Sequence, residues 1–244
     1  MRRFRPRARA GGRAPESAPA RGRGPDQIRH FLDFLGVAVF AISGVLTAGS
    51  KSLDWLGVAV IAVVTAIGGG TLRDVLLERY PIFWIADPTY LLVILAATGF
   101  TLFYVHFRAP NRRALLIADG LGLAFFTIGG VQIAQQAGLS GVPAVLMGTI
   151  TGVAGGMIRD VLCAEIPLIL RRGQLYASST IVGAALYLML ERAGMGRDPA
   201  ALIGMGTILV VRFGAILWRL ELPVLNLEQT HTGTFRRPDP PQKP

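Results

Sequence analysis

The chain has 244 residues, of which 52% are hydrophobic and only 16% charged, and its mean hydropathy is +0.49. Soluble domains average about 25% charged residues, so a water-soluble catalytic or nucleic-acid-binding domain is excluded and an all-α integral membrane protein is expected. The net charge of +10 gathers near the N-terminus, and a single cysteine, Cys163, excludes an internal disulfide.

The first 30 residues hold nine arginines and two acids among many Pro, Gly and Ala. Such a stretch buries no core, so residues 1–30 are expected to be a solvated, disordered tail. No short apolar run with a cleavage site follows it, so it does not read as a signal peptide. Seven apolar segments come next, at about 31–48, 55–77, 88–107, 114–132, 142–163, 175–190 and 200–220. Each approaches the roughly 20 residues that a helix needs to cross a bilayer. The links GSKSLD, RAPNRR, QQAGLSG and GMGRD are short, which forces neighbouring spans antiparallel. Residues 221–244 are Pro-rich and form a second expected tail.

The segments repeat. At an offset of 86 residues, DFLGVAVFAISGV (33–45) lies over DGLGLAFFTIGGV (119–131), and GGTLRDVL (69–76) over GGMIRDVL (155–162). Pro81 matches Pro167, and Tyr90 matches Tyr176. The unit is three spans, giving repeat 1 at 31–108, repeat 2 at 114–193 and an unmatched seventh helix at 199–220. An odd number of spans per unit places the second copy upside down, the inverted plan common in transport proteins.

Within each unit one span carries glycines followed by a charged doublet: IGGGTLRDVLL (67–77) and VAGGMIRDVLC (153–163). Glycine costs about 1 kcal/mol against alanine in a helix. Gly68, Gly69 and Gly70, and then Gly155 and Gly156, are therefore expected to interrupt their helices. Thr65 and Thr151 just upstream either satisfy the freed carbonyls or line a path. Ionised groups at mid-membrane depth cost about 2.5–3.5 kcal/mol each when lipid-facing, so Arg73, Asp74, Arg159 and Asp160 are expected to face the interior. Neighbours in a helix point about 100° apart. The symmetry therefore suggests pairs across the repeats, Arg73 with Asp160 and Arg159 with Asp74. Close packing of the two repeats is the competing role for the same residues.

Asp33 and Asp119 open equivalent spans and are expected to cap them. Arg212 lies near the end of the seventh span, where its stem would reach to the headgroups. The three histidines show no ligand spacing and no nucleophile arrangement or phosphate loop is present, so no metal, cofactor or enzymatic activity is expected.

Two three-span units, each carrying GG-x-x-R-D-V-L, plus a seventh span resemble the bacterial trimeric intracellular cation (TRIC) channels, whose two-unit domain is also described as a glycine transporter domain. The resemblance covers about residues 31–220. It implies a homotrimer with a potassium-permeable pore in each subunit, running between the kinked second and fifth spans. It assigns the hinges to Gly68, Gly69, Gly70, Gly155 and Gly156, and the charged partners to Arg73, Asp74, Arg159 and Asp160. The implied setting is the cell inner membrane, with lipid and a permeant cation as partners. Lys51, Arg108, Arg112, Arg113, Arg171 and Arg172 fall in links on one side, which favours an N-outside, C-inside orientation. The alternative function is a secondary transporter for glycine or another small solute, its carboxylate held by half-helix amides near Gly70 and Gly156.

Overall fold

The computed structural model describes residues 25–51, 53–108, 111–171 and 175–218, the first five by their backbone alone. Most of the arginine-rich tail, and the C-terminal tail from residue 219, lie outside the described residues. The helices in chain order are α1 (Pro25–Ala48), α2 (Trp55–Leu76), the single turn α3 (Phe83–Ala86), α4 (Thr89–Phe107), α5 (Arg112–Gln136), α6 (Val142–Leu162), α7 (Tyr176–Arg192) and α8 (Arg197–Trp218). A 3₁₀ turn at Leu168–Leu170 sits between α6 and α7.

The ends of these helices follow local chemistry. α1 starts at Pro25, earlier than hydropathy suggests, because proline at a first helical position gives up no needed N–H and has its φ preset. The Asp54 carboxylate accepts the Gly57 amide at 2.7 Å and starts α2. Asn111 accepts the Arg113 amide at 2.9 Å and starts α5. Glycines with positive φ, Gly138 (86°) and Gly194 (90°), close α5 and α7, as expected where a chain must turn out of a helix.

Among the described residues six helices are long and apolar enough to cross a membrane: α1, α2, α4, α5, α6 and α8. α7 has 17 residues, about 26 Å at 1.5 Å each, which is short for a bilayer core of about 30 Å. Large apolar side chains point outward from the bundle, among them Trp55, Leu56, Phe100, Phe103, Val210 and Leu217. An apolar exterior around a polar interior is the arrangement that lipid demands.

α1, α2, α5 and α6 form the centre, α4 flanks α1 and α2, and α7 and α8 pack on each other beside α5 and α6. Gly36 packs against Phe125 and Phe126, while Gly122 packs against Phe40. Contacts that fall along α5 as they rise along α1 mean that these two helices are antiparallel. The same holds for α2 and α6, where Gly69 meets Thr151 and Gly155 meets Thr65.

Candidate functional site: a glycine crossing between two arginine clusters

The expected interruptions are absent. α2 and α6 run as unbroken helices through Gly68, Gly69, Gly70, Gly155 and Gly156. The glycines serve approach instead. A Cβ on Gly69 would lie 2.0 Å from the Thr151 carbonyl oxygen, and one on Gly155 would lie 2.4 Å from that of Thr65. The two helices thus touch backbone to backbone at repeat-equivalent points. Contact with the opposing helix offsets the propensity that each glycine forfeits, about 1 kcal/mol. Gly70 and Gly156 leave room for the Phe83 ring and the Tyr176 hydroxyl respectively. Thr65 and Thr151 are fully buried and donate to the helical carbonyls of Ile61 and Met147, each at 2.6 Å.

The charged doublets also pair differently from the sequence expectation. Arg73 donates from Nε to Asp74 Oδ1 at 2.8 Å, and its second contact to the same oxygen is 2.7 Å. Arg159 holds Asp160 in the same way, with Nε to Oδ1 at 2.8 Å. Among the described residues no ion pair joins Arg73 to Asp160 or Arg159 to Asp74. The reason lies in reach: near the helix end a long arginine stem curls back, and its planar fork meets a carboxylate one position on. The other aspartate oxygen is taken by the returning loop, Asp74 Oδ2 by the Phe83 amide at 2.9 Å and Asp160 Oδ2 by the Leu168 amide at 2.8 Å. Each doublet therefore pins its own loop to its own helix.

Beyond this shared core the clusters diverge. Arg159 reaches Asp119 with Nη1 at 2.9 Å and also donates to the Ser43 hydroxyl. The Tyr176 hydroxyl donates to the same Asp119 oxygen at 3.2 Å. Arg212, from α8, lies over the Tyr176 ring at 4.5 Å and 3.9 Å from Asp119 Oδ2. Two arginines and two aspartates balance; Arg159, Asp119 and Arg212 are fully buried, and Asp160 reaches the wall of a cavity. Two expectations are corrected here. Asp119 is no cap: it lies inside α5, two turns beyond Asn111. Arg212 does not reach for headgroups, because a buried carboxylate is a better partner for a guanidinium than a lipid interface several residues away. Asp33 likewise lies inside α1.

In the first repeat no helix corresponds to α8. Phe34 takes the place of Gly120, and its ring covers Tyr90 at 4.7 Å, where Arg212 covers Tyr176. A Cβ on Gly120 would lie 3.7 Å from Arg212 Cγ, so Gly120 leaves the lane that Arg212 uses. Arg73 packs over the Phe83 ring at 5.5 Å, and a cavity of about 170 Å³ opens there, lined by Asp33, Arg73, Arg79, Tyr90 and Gln136 among others.

A second cavity, about 330 Å³, lies at the opposite ends of α1 and α5, with Thr47, Asn111, Arg112, Asp160 and Arg171 in its wall. Glu165 at its rim pairs with Lys51 at 2.5 Å and with Arg171 at 3.0 Å. The hydrogen bond from Lys51 and its charge, helped by Arg171, hold the Glu165 carboxyl below its ordinary range.

Ser43, Asp119, Tyr176 and Arg212 were not singled out as parts of a polar centre by sequence reasoning. The matched pairs Asp33/Asp119 and Tyr90/Tyr176 were the available signal, since polar residues kept at both copies of an apolar face have an interior task.

These features define an all-helical, multi-pass membrane protein whose polar centre is assembled from two copies of one unit. The chain belongs to the glycine transporter family, whose model matches it twice, over residues 30–106 and 116–192. It is 44% identical over 204 residues to the UPF0126 inner membrane protein YadS of Escherichia coli (strain K12), covering 82% of this chain and 97% of that one. It is also 44% identical over 201 residues to a UPF0126 membrane protein of Vibrio cholerae serotype O1 (strain ATCC 39315 / El Tor Inaba N16961), covering 81% and 83%. Among solved structures it resembles the TRIC trimeric intracellular cation channel orthologue from Rhodobacter sphaeroides, at 36% identity and a TM-score of 0.76 over 80% of this chain and 100% of that one. A prokaryotic TRIC channel in 0.5 M KCl matches at 28% identity and a TM-score of 0.75, over 81% and 100%.

Proposed function

We propose that this chain is a monovalent cation channel of the cell inner membrane, potassium-permeable, with one pore in each subunit of a homotrimer. The path runs between α2 and α6 beside α1 and α5, and the glycine contact of Gly69 with Thr151 and Gly155 with Thr65 is the point that separates to open it. One observation carries this: two cavities approach a single glycine crossing from opposite ends of α1 and α5, each reached by one member of an Arg–Asp doublet, Arg73 in one and Asp160 in the other. The antiparallel crossings of α1 with α5 and of α2 with α6 support an inverted pair of three-span units. α7 then spans with the help of local bilayer thinning and snorkelling of its flanking residues, and α8 is the seventh span. The basic links support an N-terminus outside and a C-terminus inside. The solved structures named above, described as cation channels, support the same activity.

A carrier for glycine or another small solute is the second reading, favoured by the family's description. Its expected carboxylate site near Gly70 and Gly156 lacks donors, because those amides are spent inside continuous helices. Planar-bilayer recording of the purified protein in potassium, sodium and glycine gradients decides between the two. Unitary current steps reversing near the potassium potential are expected. Saturable glycine counterflow without such steps would overturn the channel reading.

A further inference from the structure

Between α6 and α7 lies a groove of about 330 Å³ that plays no part in the polar centre. Its walls are apolar, from Val145 and Leu146 on α6 and Ile181, Ala185 and Leu188 on α7, and Arg192 stands at one end. Arg192 is exposed in the last turn of α7. Its acidic neighbour Glu191 is engaged elsewhere, by Arg197 at 2.9 Å and by Gln135 at 2.5 Å. Among the described residues Arg192 makes no ion pair. Gly141, which starts α6, lies beside this guanidinium: a Cβ there would stand in ordinary contact, 3.7 Å from Arg192 Nη2. The first repeat differs at the same place, since the start of α2 carries its own carboxylate, Asp54.

We propose that this groove binds one anionic phospholipid per subunit, with an acyl chain along α6 and α7 and the phosphate on Arg192. Charge and shape together select this occupant. A second copy of the chain would cover the apolar walls and leave the cation without a counter-charge. A zwitterionic lipid fills the walls, but its own cationic group competes for the phosphate. α7 is short, which brings its last turn to headgroup depth. The site depends on the membrane setting alone and not on conduction.

The test uses the full-length protein in mild detergent, with thermal melting and native mass spectrometry after adding phosphatidylglycerol or phosphatidylcholine of matched chains. The wild type is expected to prefer phosphatidylglycerol about fivefold, the worth of one arginine at an anionic surface. Arg192→Gln is expected to abolish the preference while keeping equal, weaker binding of both lipids. Ala185→Phe, or Leu146→Trp where the first fails to fold, is expected to reduce binding of both. Arg79→Gln, at the same end of the bundle but outside this groove, retains the preference. An Arg192→Gln protein that still prefers phosphatidylglycerol, or groove-filled variants that bind as the wild type does, would refute the site. Spontaneous disulfide cross-linking between copies carrying Met189→Cys would show that another subunit occupies the groove, and would refute it equally.

Discussion

Arg159→Met is the sharpest test of the asymmetry between the two clusters. Arg159 holds Asp160 and Asp119 together, and both carboxylates are buried. Without it, two buried anions share only Arg212, which stands 3.9 Å from one oxygen of Asp119. Removing one partner of a buried ion pair costs about 3–5 kcal/mol, and Arg159 serves two carboxylates, of which only Asp160 reaches a cavity wall. Arg73→Met removes a guanidinium with one aspartate partner, beside an open cavity of about 170 Å³. Asp74 is the only carboxylate left unpaired and keeps the Phe83 amide, so the loss should be about 1–3 kcal/mol. SDS-driven unfolding in mixed micelles, followed by helical circular dichroism, measures both. Adding Asp119→Asn to Arg159→Met should recover part of the loss, as coupled neighbours do. A cycle between Arg73 and Asp160 should give coupling below about 0.5 kcal/mol. The reasoning fails should Arg159→Met prove no worse than Arg73→Met, or should Arg73 and Asp160 couple strongly.

Gly69→Val and Gly155→Val each place a side chain inside the contact distance of an opposing carbonyl and should destabilise by about 3 kcal/mol or more. Gly99→Ala, where nothing lies within 4 Å, should be neutral or stabilise by up to about 1 kcal/mol in the same unfolding assay. Gly120→Phe alone should be damaging, since its ring meets Phe213 and Arg212; combined with Arg212→Ala it rebuilds the Phe34–Tyr90 arrangement, and thermal melting should show recovery over either single change. For Glu165 the folded-state carboxyl lies below its ordinary 4.5. Its contribution is therefore complete above that value and is lost as pH falls through the depressed range. The melting difference between wild type and Glu165→Gln should vanish there.

Hydropathy and the offset of 86 residues made the helices and the duplicated unit legible in the sequence, because lipid imposes long apolar runs and a repeated core keeps its polar exceptions. The functions of the glycines were harder to read. A run such as Gly68–Gly70 lowers helix propensity, and propensity alone predicts a break; that an opposing carbonyl waits 2.0 Å from a Cβ on Gly69 is a tertiary fact. The doublets misled for a similar reason. Periodicity describes where Cβ atoms point, whereas the arginine fork acts some 6 Å further out and can turn back on the next residue. Arg212 was placed at the interface from its distance to the end of its span, and only the packing of α8 against α5 and α7 brings it to Asp119.

The unmatched α8 gives one half of the molecule a fixed guanidinium that the other half lacks. In the proposed channel, an ion entering from one side would meet a cavity that ends on a charge-balanced cluster behind Asp160, and from the other a basin beside Asp33, Arg73 and Tyr90. A channel assembled from twin halves would otherwise pass equal current both ways; on the proposed channel reading this one should rectify, and shortening Arg212 should straighten its current–voltage curve.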